Sequence, residues 1–127
     1  MPVTVLLTGI FVLMMVALSA HVSLRRREVA VGYGDGGDRV LGKRIRAHGN
    51  FAEYAPLMLI VLAMVEIVEA PPVVVWSLAA AFLLSRVLHA LGTLLFYRNP
   101  WTRGAGMLLQ DFGFLAGAVV LFLYWRA

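Results

Sequence analysis

The chain contains no cysteine, which excludes disulfides, iron–sulfur ligation and a protein thiolate nucleophile. Any reacting sulfur must therefore arrive with a substrate. Charge is also scarce: 14% of the 127 residues are charged, against roughly 25% in an ordinary soluble domain. Acids are fewer than bases, 7 against 11, and 61% of the chain is hydrophobic. With a mean hydropathy of +0.86, the composition belongs in a membrane. The length allows one domain with room for about four spans of roughly 20 residues each, and leaves no space for a separate soluble domain.

The net charge of +4 and the pI near 10.1 do not signal nucleic acid. The basic residues form no face interleaved with aromatics; they cluster beside hydrophobic runs, as orientation signals do.

Val3 to Leu24 is the first apolar run, a span of about 3–24. No Lys or Arg precedes it, and Arg25, Arg26 and Arg27 follow directly, an order that favours a retained span over a cleaved secretory signal. Gly32, Gly34, Gly36 and Gly37, with Asp35 and Asp38, read as a flexible connection. The next segment, about 40–69, is polar in its first third and apolar afterwards. One helix of that length reaches roughly 45 Å and would protrude from the hydrocarbon on its basic side. Pro56 is expected to kink it, and Pro71-Pro72 to end it.

A third span is expected over about 73–96 and a fourth over about 104–124, with Tyr124-Trp125-Arg126 as an interfacial anchor. Lys and Arg concentrate in the first and third connections, which predicts cytoplasmic loops and both termini outside. The expected fold is an all-α integral membrane bundle of four transmembrane helices. Gly106, Gly113 and Gly117 share a face of the fourth span, where a neighbouring helix can approach closely.

An ionisable group in hydrocarbon costs about 2.5–3.5 kcal/mol on insertion scales and needs a partner or a wet cavity. Glu53, Glu66, Arg86, His89 and Asp111 are such groups. Arg46, Asn50 and Glu53 fall at i, i+4 and i+7, on one helical face. Arg86 and His89 at i and i+3, followed by Thr93 and Tyr97, make a second stripe in the same half. Two readings stand for Glu53 and Arg86: a buried pair holding the bundle together, or two contacts to one zwitterionic ligand. The surplus of arginine at that end suits carboxylates and a thiolate. Tyr54 serves equally well as a ligand contact or a lipid-facing anchor. Glu66, Glu69 and His21 read as interfacial, and Asp111 as the structural partner of an arginine. Three scattered histidines give no metal site.

The string Arg46-x-His48-x-Asn50-x-x-Glu53-Tyr54-x-Pro56 resembles the signature of the MAPEG family, the membrane-associated proteins of eicosanoid and glutathione metabolism. Arg86-x-x-His89 and Arg103 fit the same pattern. The resemblance implies a homotrimer whose other partners are membrane lipid and a lipophilic small-molecule substrate. It implies glutathione as co-substrate, bound between subunits. Arg46, Asn50 and Glu53 would hold its peptide part, Arg86 and His89 would contribute from the third span, and Arg26 would complete the pocket. Arg103 matches the family arginine that stabilises the thiolate, with Arg98 as a competitor because the preceding connection differs in length.

Three departures bear on catalysis. Gly49 stands where some members carry another arginine, Thr93 where synthases place a tyrosine, and Gly104 where prostaglandin E synthase has a serine. The chain is most similar to the bacterial branch, which implies an inner-membrane glutathione transferase or peroxidase acting on lipophilic electrophiles in detoxification. The alternative is a non-catalytic lipid- or ligand-binding protein of the same fold.

Overall fold

The structure is a computed structural model that describes residues 1–95 and 100–125. Four helices follow one another: α1 (Pro2–Glu28), α2 (Arg39–Ile67), α3 (Pro72–Leu94) and α4 (Pro100–Tyr124). All four are long and apolar enough to cross a membrane, and the described residues contain no strand. Tyr97, Arg98 and Arg126 lie outside the described residues.

Proline acts differently from its expected role. Pro71 and Pro72 open α3 rather than close α2, because a proline at the first helical position forfeits only an amide that has no partner there anyway. The same reason lets α4 begin at Pro100, a turn before the expected start. Pro56 sits inside α2, which continues through it and loses only the bond its amide would have given to Ala52.

What ends α2 is a reversal at Glu69, held at φ 56. The Ala70 amide donates to the Val65 carbonyl at 3.3 Å, and the Glu69 amide to Glu66 at 3.2 Å. This is the Schellman pattern, which satisfies carbonyls left over at a helix end. The end of α1 repeats it, with Ala30 at φ 53 and Val31 bonded to Arg26 at 3.1 Å. Neither position is a glycine.

The connection from Val29 to Asp38, read from sequence as flexible, is tied down. Arg26 donates to the Gly34 carbonyl at 2.9 Å. Arg25 forks onto Asp38 through Nε at 3.1 Å and a terminal nitrogen at 2.8 Å. Asp38 also caps α2 by accepting from the Leu41 amide at 2.6 Å. One carboxylate thereby joins the end of α1 to the start of α2.

The other end of that pair is closed by Glu66, which the sequence placed in the interface. Its carboxylate accepts from the amides of Val3 and Thr4 at 3.0 and 2.9 Å and from the Thr4 hydroxyl at 2.6 Å. An anion there satisfies orphan donors and complements the positive end of the α1 dipole. Glu66 near Thr4 and Arg44 bonded to the His21 carbonyl at 2.8 Å set α1 and α2 antiparallel.

Helices α2 and α3 form the middle of the bundle. α1 packs on α2 and α3, α4 packs mainly on α3, and among the described residues α1 and α4 are not in contact. The core runs through Met58, Leu62, Val65 and Phe82, with Phe11 edge-on to Phe51 at 5.3 Å. Glycine brings α4 this close. A Cβ on Gly106 would sit 2.8 Å from the Ser85 carbonyl oxygen and the His89 nitrogen, and one on Gly113 would meet the Phe82 ring at 2.7 Å. The small face expected on the fourth span meets α3 at Gly106 and Gly113 and α2 at Gly117, where a Cβ would run into the Val61 side chain. Large apolar side chains such as Leu13, Val16, Leu84, Phe112 and Phe122 point outward, as a hydrocarbon surround requires.

Candidate functional site

Arg86 is the largest fully buried side chain, 1% exposed in the middle of the bundle. Its guanidinium is shared among neutral acceptors. One terminal nitrogen donates to Asn50 Oδ1 on α2 at 2.8 Å, the other to Gln110 Oε1 on α4, and Nε to the Ser85 hydroxyl at 3.3 Å. The Tyr54 ring lies beneath it, 5.5 Å from centroid to guanidinium carbon. Gln110 in turn donates to Asp111 Oδ1 at 3.2 Å. A buried arginine needs such a full set of acceptors, because its charge cannot be shed.

The pairing of Glu53 with Arg86, one of the two sequence readings, does not form. Glu53 is exposed on α2 and has no ion pair among the described residues. Asn50, one turn earlier on the same helix, takes the place facing Arg86. Asp111 is likewise exposed on α4 and joins the hydrogen-bond network of Arg86 through Gln110. Gln110 was missed as a member of the network. Its signal was a lone amide within an apolar run, at a depth matching Arg86.

Toward the basic end of the helices a cleft of about 340 Å³ opens, lined by Arg39, Gly42, Lys43, Arg46, Thr93 and Arg103. Arg46 of α2 and Arg103 of α4, expected to share a site, do line this one. His89, one turn from Thr93 on α3, is buried, and its backbone faces α4 at Gly106. Arg26 is not among the lining residues; within one chain it serves the connection. Arg39 and Lys43 were not singled out from sequence, although their i, i+4, i+7 spacing with Arg46 marks one face.

α4 closes on the cleft because Gly92 has no side chain: a Cβ there would sit 2.5 Å from the Arg103 amide nitrogen. The bundle thus holds a buried amide–guanidinium network and, nearer the helix ends, a cationic cleft.

The profile of the MAPEG family matches residues 4–123. The chain belongs to the MAPEG family. Inner membrane protein YecN of Escherichia coli K12 is 32% identical over 80 residues, 63% of this chain and 61% of that protein. YecN of a second Escherichia coli strain, O6:H1, matches equally. The aligned chain thus spans about 61% of the length of these curated relatives. No solved structure matches. Family membership, four apolar helices and an inner-membrane relative together make this MAPEG member a membrane protein.

Proposed function

We propose that this MAPEG protein is a glutathione-dependent transferase or peroxidase acting on lipophilic electrophiles that arrive through the bilayer. The observation that carries the reading is the convergence of Arg46 and Arg103 on one cleft, with the Arg86–Asn50 pair deeper in the same bundle. Arginine forks suit the carboxylates of glutathione. A cation beside its sulfur lowers the thiol pKa from about 8.5 toward neutrality and raises the nucleophilic fraction. In transfer, the proton leaves to water, the thiolate forms a carbon–sulfur bond and the electrophile's leaving group departs. In peroxide reduction, two thiols are oxidised to the disulfide while the peroxide becomes an alcohol and water.

In this reading Arg103 stabilises the thiolate, while Arg46, Asn50 and Glu53 hold the peptide portion. Glu53 and Asp111 are exposed carboxylates within spans, which lipid cannot cover at low cost. Covering them with further copies of the chain is the low-cost solution, which supports a homotrimer with the glutathione pocket between subunits, Arg26 then being supplied by a neighbour. The helix ends carrying Arg25–Arg27, Lys43, Arg44 and Arg46 face the cytoplasm of a bacterial inner membrane, and both termini lie outside.

A second reading, binding without turnover, is favoured by the side chains of the described residues that line the cleft, none of which carries an acidic hydroxyl. Among the described lining residues Thr93 alone contributes a side-chain hydroxyl, and Gly104 beside Arg103 contributes none. Titrating purified protein with glutathione while following thiolate absorbance and conjugation of a generic electrophile separates the two. A thiolate signal with turnover that Arg103→Ala abolishes supports the enzyme. Binding with neither signal supports the second reading, and no binding at all sinks the glutathione pocket.

A further inference from the structure

The three arginines of the cleft alone carry more positive charge than one glutathione neutralises. Arg39, Lys43 and Arg46 rise along one face of α2, Arg103 joins them from α4, and no carboxylate is among the described lining residues. Asp35 lies against Gly42 and uses Oδ1 to accept from the Gly37 amide. Glutathione near neutral pH, with two carboxylates and one ammonium, brings a net charge of about −1, or about −2 as the thiolate.

The second observation is Thr93. It is 5% exposed, it lines the cleft, and its Oγ1 is a buried oxygen with no hydrogen-bond partner among the described residues. Buried hydroxyls are almost always satisfied, so an orphan beside a cluster of cations points to an acceptor that occupies the cleft.

We propose that this cleft is a binding site for a phosphate-class anion, held by Arg39, Lys43, Arg46 and Arg103 and by the Thr93 hydroxyl. A phosphate offers several acceptor oxygens that share up to two charges around one phosphorus, which matches arginine forks, a lysine point charge and one hydroxyl donor together. A volume of about 340 Å³ exceeds a bare phosphate and accommodates the organic part of an ester. The cleft opens near the helix ends, where both a lipid headgroup and a soluble phosphate monoester have access. Arg39 and Lys43 have no part in the glutathione reading, so the two proposals share Arg46 and Arg103 but stand separately.

The test titrates the full-length protein with inorganic phosphate in uncharged detergent at constant ionic strength. In parallel, phosphatidylglycerol is added to phosphatidylcholine nanodiscs, and phosphorus NMR and the unfolding midpoint are read in both. The variants are Arg39→Gln, Arg39→Gln/Lys43→Gln and Thr93→Val. Saturable phosphate binding, weakened at least about ten-fold by the double variant and measurably by Thr93→Val, supports the soluble source. Saturation by phosphatidylglycerol alone, with the same sensitivity, supports the headgroup. Thr93→Val also keeps or raises stability, since it removes an unpaired hydroxyl. Binding of neither, or binding that all three variants retain, overturns the proposal. Glutathione is titrated on the same samples: phosphate binding without glutathione binding overturns the glutathione reading alone, and the converse overturns this one alone.

Discussion

Arg86 donates to Asn50 Oδ1 at 2.8 Å, so a guanidinium on α3 decides which way an amide on α2 faces. With its oxygen committed, Asn50 turns Nδ2 toward α4, 3.9 Å from the Met107 sulfur. The amide is therefore a donor on the side away from Arg86. Removing one partner leaves the other buried and unpaired, and a hydrogen bond to a charged group contributes about 1.5–3 kcal/mol. Asn50→Leu and Arg86→Leu should each destabilise by at least that much, and a double-mutant cycle should return a coupling of about 1–3 kcal/mol. Additive losses in detergent unfolding would show that the contact carries no energy.

Close approach of α3 and α4 rests on Gly106, where a Cβ would meet backbone atoms that cannot rotate away. Gly106→Ala should therefore cost about 1–3 kcal/mol through overpacking. At Gly49, which has open space around it, alanine should be neutral or stabilising by up to about 1 kcal/mol through helix propensity. Equal effects of the two substitutions on the unfolding midpoint would contradict the packing assigned to α4.

The four helices were legible because hydrocarbon thickness fixes the length of an apolar run, and the small face of the fourth span was legible because helical periodicity is rigid. Helix ends were less so, since Pro71-Pro72 reads as a stop and acts as a start. Spacing along α2 and α3 put Glu53 and Arg86 on polar faces, but not how far each helix is rotated toward the other. That rotation selected Asn50 over Glu53 and brought in Gln110 from α4. The cleft was half legible: Arg46 and Arg103 were named, whereas Arg39 and Lys43 merged with the general basic signal.

Glu66 holds the start of α1 through three hydrogen bonds. Glu66→Ala frees two amides and one hydroxyl, and a loss of about 0.5–2 kcal/mol is expected, as for other helix caps. Hydrogen exchange offers the sharper readout: amides of the first turn of α1 should exchange faster while those of α3 do not. Unchanged protection at Val3 and Thr4 would show that the cap is dispensable.

Left-handed backbone at Ala30 and Glu69 strains residues with a Cβ by about 1–2 kcal/mol each. Ala30→Gly and Glu69→Gly should accordingly raise the unfolding midpoint, and together their effects should add because the turns lie at opposite ends of the bundle. A fall in midpoint for either variant would mean that its side chain contributes more than the strain costs.

The Arg25 fork on Asp38, helped by the Leu41 amide, holds the Asp38 carboxyl at about 2, below its usual 3.8. A depressed folded-state value means the ionised form is favoured by folding. The resulting stability is fully present above the unfolded value and lost as pH falls through the folded one. It should be intact at neutral pH, fade below about 4 and be gone near about 2. Asp38→Asn can still cap α2 but cannot titrate, so its unfolding midpoint should vary less with pH across that window than the parent's, the two curves converging at the acid end. Parallel curves would assign the acid sensitivity to another carboxyl and leave the α1–α2 connection without its proposed ionic tie.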